Sequence, residues 1–392
     1  MLLFELLIYI FTFLPKSKLC ITAQVCKKWK EASFHASLWR EIFIDQQKIS
    51  RFQLSKLFSR TKQLRSFILH WPKALTSKMS IDDILSLISK KCPVVQSLRF
   101  SQMFLTFNLR NELTNMKKFQ NLTDFRLISC KLFSNLQIVS QCRKLKVLHL
   151  ETIGLANLDK EFSELVELEE LNLGFNNFNT IPPEILKLPK LIKLNMDSNL
   201  ISSLDSPEII QFIDQLEYLL LSYNQISSIP VLNNDPKLIK LDLSFNRFSS
   251  IDSLLQFKNL RMLNLFNNEL TQFPKEIHQW KFLKKIYLSF NHLSQVDSIT
   301  QLENCTKIWI DNNRITHLPL QFLQMKKLKL FNCSYNQIQI FPIELALCQS
   351  LEYLTFSENP WIDQEISHMA QLRATREEIQ RYFTNSLGND FL

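Results

Sequence analysis

The eleven residues LIKLDLSFNRF (Leu238–Phe248) carry leucine at their first, fourth and sixth positions and asparagine at the ninth. The phrase L-x-x-L-x-L-x-x-N-x-L returns as LEELNLGFNNF from Leu168, then as LIKLNMDSNLI, LEYLLLSYNQI, LRMLNLFNNEL, LKKIYLSFNHL, CTKIWIDNNRI, LKLFNCSYNQI and LEYLTFSENPW. Its asparagines stand at 176, 199, 224, 246, 268, 291, 313, 336 and 359, always 22–25 residues apart. So regular a period means one supersecondary unit copied along the chain. The x-L-x-L portion alternates, sending leucines to one side of a short strand and the x residues to the other. The asparagine falls where the chain leaves that strand, and its amide is placed to satisfy backbone groups that the turn leaves unpaired inside the coil. No coil buries its leucines alone, so successive coils stack their strands into one parallel sheet.

Upstream the phrase decays but stays in phase. LTDFRLISCKL (Leu122–Leu132) has Cys130 in the asparagine slot and LKVLHLETIGL (Leu145–Leu155) has Ile153 there, so the steps 130, 153, 176 are even. LRSFILHW (Leu64–Trp71) reads as an earlier irregular coil, which puts the start of the array between 60 and 95. ISKKCPVVQSLRF and IVSQCRKLKVLHL read as coils whose helix ends at cysteine just before the strand. Ser206, Pro207 and Glu208 form a helix start. After Asn359, DQEISHMAQLRATREEIQRYF is rich in charge and helix formers, as expected of a helix capping the open core. These repeats resemble the leucine-rich repeat family.

Composition narrows the chemistry. Only three of the 392 residues are glycine, and no GxGxxG or GxxxxGK occurs, so nucleotide-phosphate cradles are not expected. The formal charge of +9 allows nucleic acid, an anionic membrane or acidic proteins as partners, but the lysines are scattered as on a solvated basic surface. Eight cysteines include no CxxC pair and suit neither zinc nor a disulfide framework; they read as reduced and buried. MLLFELLIYIFTFL lacks a leading positive charge, contains Glu5 and is too short to span a bilayer, so a secretory signal is not expected. The seven histidines show no HExxH spacing. No enzyme activity, metal or cofactor is expected.

Residues 2–14 put Leu3, Leu6, Leu7, Ile10, Phe11 and Leu14 on one helical stripe that ends at Pro15. Ser17 is placed to cap a second helix carrying Leu19, Thr22, Val25, Cys26 and Trp29, and a short third element ends at Leu38-Trp39. Three small helices do not bury that much apolar surface, so a partner is expected. The stretch resembles an F-box: Leu2, Glu5, Leu6, Leu7, Ile10, Phe11, Leu14, Leu19, Val25, Cys26, Trp29, Leu38 and Trp39 match, while Leu3 stands where the family has proline. The implied fold class is α/β: an F-box over 1–45, a linker and irregular repeats over 46–115, a leucine-rich repeat solenoid with a curved parallel sheet on its concave face over 116–362, and a helical cap and tail over 363–392.

The resemblance implies the substrate-recognition subunit of an SCF-type ubiquitin ligase, cytoplasmic or nuclear, with a Skp-type adaptor and cullin as partners and neither nucleic acid nor membrane. It assigns Leu2, Leu14, Pro15, Leu19, Val25, Cys26, Trp29 and Trp39 to the adaptor interface or the packing behind it. The alternative is a ligase-independent scaffold in signalling. On the repeats, Lys285, Tyr287, Lys307 and Trp309 fall as a two-by-two block on neighbouring strands, with Lys240 and Tyr218 beside them. Aromatic anchors next to cations make interface hot spots, and the lysines suit an acidic or phosphorylated protein substrate. A plain solvated face is the other reading. The Phe or Tyr preceding many asparagines (175, 223, 245, 290, 335) reads as structural.

Overall fold

Fourteen short parallel strands follow one another in sequence order in this computed structural model, one from each coil. The structure describes residues 2–14, 16–45, 50–70, 81–102, 118–130, 136–232, 236–372 and 374–387. They form two units, Met1–Asn177 with Pro182–Leu191, and Phe178–Ile181 with Ile192–Leu392.

The first unit opens with α1 (Leu2–Thr12), α2 (Lys16–Thr22) and α3 (Lys27–Ser33), followed by a 3-10 turn over Ala36–Trp39. Phe11 and Leu19 are buried, and Phe11 meets the Trp29 ring edge-on at 5.4 Å. The expected second helix is in fact two. α2 begins at Lys16, so Ser17 lies inside it, and the chain turns before Cys26, which caps α3. The break separates Trp29 from Leu19. Periodicity alone did not reveal it, because apolar spacing carried across the turn imitates one continuous helix.

Strand β1 (Glu41–Asp45) comes directly after Trp39 and pairs in parallel with β2 (Ser66–His70). The sheet therefore begins well before the 60–95 window. Register explains why this coil is hidden: Ile42 faces Phe67 and Ile44 faces Leu69, so Trp39 occupies the first leucine position of the coil, as Leu64 does in the next. Trp39 is only 3% exposed; its ring stacks on Phe34 at 5.9 Å and its indole N–H donates to the Ser33 carbonyl at 2.6 Å. One tryptophan thus belongs both to the helical module and to the repeat core. Next come α4 (Arg51–Arg60), started by a Ser50–Gln53 capping box, and α5 (Ile81–Lys91), which ends at buried Cys92 as expected. β3 (Ser97–Ser101), β4 (Asp124–Ile128), β5 (Val147–Glu151) and β6 (Glu170–Asn172) complete the unit. Inward positions such as Phe67, Leu98, Phe125, Leu148 and Leu171 are fully or almost fully buried. Each such side chain is worth about 1.5–3 kcal/mol against solvent exposure.

The second unit carries β7 (Lys193–Asn195), β8 (Tyr218–Leu220), β9 (Lys240–Asp242), β10 (Met262–Asn264), β11 (Lys285–Tyr287), β12 (Lys307–Trp309), β13 (Leu330–Asn332) and β14 (Tyr353–Thr355). Behind the strands the chain returns in 3-10 turns such as Ile277–Gln279, or in helices α6 (Pro207–Ile213) and α7 (Ile343–Leu347). Ser206 caps α6, its hydroxyl accepting from Ile209 N at 3.2 Å. The cap at the end is two helices rather than one, α8 (Gln364–Gln371) and α9 (Arg376–Leu387). Tyr382 on α9 donates to Asp363, the N-cap of α8, at 2.7 Å.

The asparagines do more than serve their own turn. Asn246 donates to Leu243 O and Ser244 O at 3.1 Å each within its coil, and to Leu221 O of the preceding coil at 2.9 Å. Its Oδ1 accepts Ile226 N of that same preceding coil at 2.9 Å. Asn224, Asn268, Asn291, Asn313, Asn336 and Asn359 repeat the pattern. In the same slot the Cys130 thiol faces the carbonyls of Phe100, in the preceding coil, and Ile128, in its own, at 3.5 and 3.4 Å. Immediately before each slot the backbone turns left-handed without glycine, at Phe175, Ser198, Tyr223, Phe245, Asn267, Phe290, Asn312, Tyr335 and Glu358, with φ of 53–57°. A non-glycine residue there costs roughly 1–2 kcal/mol.

Candidate protein-interaction surfaces

The helical module leaves one set of apolar side chains without cover. Helix α1 is apolar except at Glu5 and Thr12; in it and the turn that follows, Phe11 points inward and Leu7 and Leu14 are half-buried, whereas Leu6, Tyr9, Ile10 and Phe13 are exposed, Phe13 by 72%. The expected single stripe was thus two faces, because a helix with so few polar residues carries little periodic signal to say which side is inner. Ile21 in α2 and Val25 in the following turn are exposed as well. Of the residues implied by resemblance, Val25 and Cys26 are exposed and Trp29 and Leu14 half-buried. Leu19 and Trp39 are core residues that support the face rather than line it. Pro15 and the side chain of Leu2 lie outside the described residues. Tyr9, Phe13 and Ile21 were not singled out from the sequence, although for Tyr9 and Phe13 the run of apolar residues on both sides of α1 was the available signal.

The outward faces of the two strand sets differ in how they settle their charge. On the first unit, Asp124 receives Arg99 at 2.6 Å and Arg126 at 2.8 Å. Arg126 lies 3.4 Å from His149 Nδ1, whose Nε2 meets Glu170 at 2.8 Å. Burial pushes the Asp124 carboxyl upward, but hydrogen bonds and charge from Arg126 and Arg99 together outweigh it and hold it below the usual range. Burial depresses the His149 imidazole, and its bond to Glu170 offsets only part of that. This network, which the sequence reading missed, neutralises itself.

The second unit's face behaves otherwise. Lys285 stands in register with Lys307, and Tyr287 with Trp309, whose rings meet edge-on at 5.5 Å. Lys240 and Tyr218 are likewise in register on β9 and β8, and Lys193 sits 5.3 Å over the Tyr218 ring. All six expected residues therefore lie on one face, Lys285, Tyr287, Lys307, Lys240 and Tyr218 half-buried and Trp309 36% exposed. Lys240, Lys285 and Lys307 make no ion pair among the described residues. Burial, helped by the nearby Asp242 carboxylate, raises the Tyr287 hydroxyl, so it is a neutral donor at physiological pH. On the same face, in register with Asn264 and so with Tyr287, Asp242 accepts from Ser244 at 2.7 Å and from Asn264 at 3.0 Å.

The geometry of a short helical module opening into stacked coils has a counterpart in known families. A model described as F-box-like matches residues 4–45, one described as leucine rich repeat matches 166–226, and another, leucine rich repeats in two copies, matches 236–276. The chain is an F-box-like domain followed by leucine-rich repeats. It is 31% identical over 134 residues to the acidic leucine-rich nuclear phosphoprotein 32 family member A of Drosophila melanogaster, covering 34% of this chain and 42% of that protein. It is 28% identical over 148 residues to the probable serine/threonine-protein kinase pats1 of Dictyostelium discoideum, covering 35% of this chain. The chain spans only 5% of that kinase's length. Among solved structures, an LRR protein of Leptospira interrogans superposes with a TM-score of 0.64 at 24% identity, over 84% of this chain and 87% of its own. An internalin of Listeria monocytogenes does so at 0.59 and 19%, over 70% and 76%. These likenesses show the fold. Among the described residues, no helix is long and apolar enough to cross a membrane.

Proposed function

We propose that this F-box and leucine-rich repeat protein is the substrate-recognition subunit of an SCF-type ubiquitin ligase. The observation that carries the reading is the uncovered apolar face of the F-box-like domain, Leu6, Tyr9, Ile10, Phe13, Ile21 and Val25, in a module whose own core is already filled. A Skp-type adaptor seated there, itself held by a cullin, would bury that face; Cys26 and Trp29 flank it. The repeats then hold a protein substrate on their outward face around Lys285, Tyr287, Lys307 and Trp309, with Lys240 and Tyr218 extending the site. Three cations without ion-pair partners among the described residues favour an acidic or phosphorylated segment. The protein lowers no chemical barrier itself in this reading; it raises the concentration of a substrate near a ubiquitin-loaded enzyme, inside the cell.

Affinity purification of the full chain tests this. The adaptor and a cullin are expected to co-purify, and the pair Phe13→Ser with Val25→Ser, both at exposed positions, should abolish their recovery while leaving the thermal melt unchanged. Recovery of a kinase or phosphatase without any cullin would instead establish a ligase-independent scaffold. Lys285→Glu with Lys307→Glu should weaken substrate capture at constant adaptor binding.

A further inference from the structure

The aromatic residues before the asparagines, which read as structural in the sequence, are not in the core. Tyr223 and Phe290 are 53% and 46% exposed, and Phe245 and Phe266 are half-buried. Tyr223 stacks on Phe245 at 3.9 Å and 12°; Phe245 follows Phe266 at 5.2 Å, and Phe266 follows Phe290 at 5.0 Å. Four rings therefore form one continuous row across the coils of β8 to β11. Three of them sit on left-handed backbone, where a side chain is strained and glycine would be easier. Leucines already fill the core beneath, so the rings close no cavity there.

This row runs beside the cation row of Lys240 and Lys285, with Met262 between them in register. From Lys240 to Phe245 the chain advances five residues, at most about 16 Å, and less because β9 ends at Asp242 and Phe245 sits on a left-handed turn. An α-helix with its side chains is about 10–12 Å across and bridges such a gap. An extended peptide has nothing to pair with here, because β8, β9, β10 and β11 are each hydrogen-bonded to a neighbour on both sides. A helix satisfies its own backbone and needs only side-chain contacts. A polyanion such as single-stranded nucleic acid carries charge along its whole length and would set phosphates against Asp242, which lies between the two rows, whereas an amphipathic helix confines its carboxylates to one flank.

We infer that this face binds an acidic amphipathic helix of a partner protein, with its apolar stripe on Tyr223, Phe245, Phe266 and Phe290 and its carboxylates on Lys240 and Lys285. The inference rests on the reading of the repeat face as the substrate site and specifies the substrate's form.

The test uses the full chain and three fluorescein-labelled probes: a hydrocarbon-stapled helix with leucine at i, i+3, i+4 and i+7 and glutamate along one flank, the same helix with lysine for glutamate, and oligo(U). Anisotropy should show saturable binding of the glutamate helix only. Phe245→Ser with Phe290→Ser should weaken it at least tenfold, and Lys240→Glu with Lys285→Glu should transfer binding to the lysine helix. Far-UV melts check that both variants remain folded. Equal binding of the two helices, binding of oligo(U) in place of the glutamate helix, absence of glutamate-helix binding, or indifference to the ring substitutions would overturn the inference. Adaptor co-purification, read at the F-box, is independent of all these outcomes, so failure here leaves the ligase reading standing.

Discussion

Replacing Asn246 by alanine removes one side chain that makes four hydrogen bonds, one to a preceding-coil amide, one to a preceding-coil carbonyl and two within its own turn. The site is closed to solvent, with Asn246 8% exposed, so water does not replace what is lost. Each bond is worth about 0.5–1.5 kcal/mol net, and a stranded buried amide adds about 1–3 kcal/mol. Because the two amide hydrogens are shared among three carbonyls, the simple total overstates the loss, and about 3–5 kcal/mol is expected. Asn246→Cys places the Cys130 residue type in the slot: a thiol still donates to a carbonyl and is only a weak acceptor of an N–H, so its cost should be lower than that of alanine, about 2 kcal/mol. Urea unfolding followed by far-UV circular dichroism gives the global change. Hydrogen exchange at Ile226 gives the local one, since opening of single coils need not follow the whole array. The reasoning is refuted if the alanine variant loses less than about 1 kcal/mol, or if cysteine proves as costly as alanine.

Trp39→Ala should cost about 3–5 kcal/mol, as deletion of a buried aromatic does, and should loosen protection of β1 as well as the helices; a melt confined to the F-box would contradict its double membership. At pH 8, iodoacetamide should modify Cys26, the exposed thiol, before Cys92, Cys142 or Cys305, whose thiols burial pushes up to about 11, 12 and 12; peptide mapping reads the order. Asp124, held below its ordinary value, contributes stability above the unfolded carboxylate pKa that is lost as pH falls through the folded one, so Asp124→Asn should flatten the acid limb of a pH–stability curve. Burial raises Asp197, the opposite case: its ionisation opposes folding at neutral pH. Asp197→Asn, which keeps an acceptor for Ser222 N at 2.7 Å, should therefore stabilise at pH 7 and not at pH 3.

Much of the solenoid could be read from residue order. A fixed period of leucine and asparagine fixes which side chains point inward, and with them the columns that place Lys285 beside Lys307 and Tyr287 beside Trp309. What escaped was whatever a period does not encode. β1 went unseen because tryptophan stands in the leucine position and no asparagine follows. The outer face of α1 went unseen because hydrophobicity on both sides erases the distinction between core and surface. The rings before the asparagines were noticed but read as structural, because they occupy turns, where exposure depends on backbone handedness rather than alternation.

The asparagine bonds between coils also have a direction. Where Asn246, Asn268, Asn291, Asn313, Asn336 and Asn359 reach outside their own coil, they reach toward the N-terminus. A chain leaving the ribosome N-terminus first can close each coil on carbonyls already made, without waiting for sequence not yet synthesised. The order of translation and the order of locking then coincide. The last face to be completed is the one farthest from the F-box-like domain in sequence, so a nascent chain would expose its N-terminal helices before its repeats can hold anything.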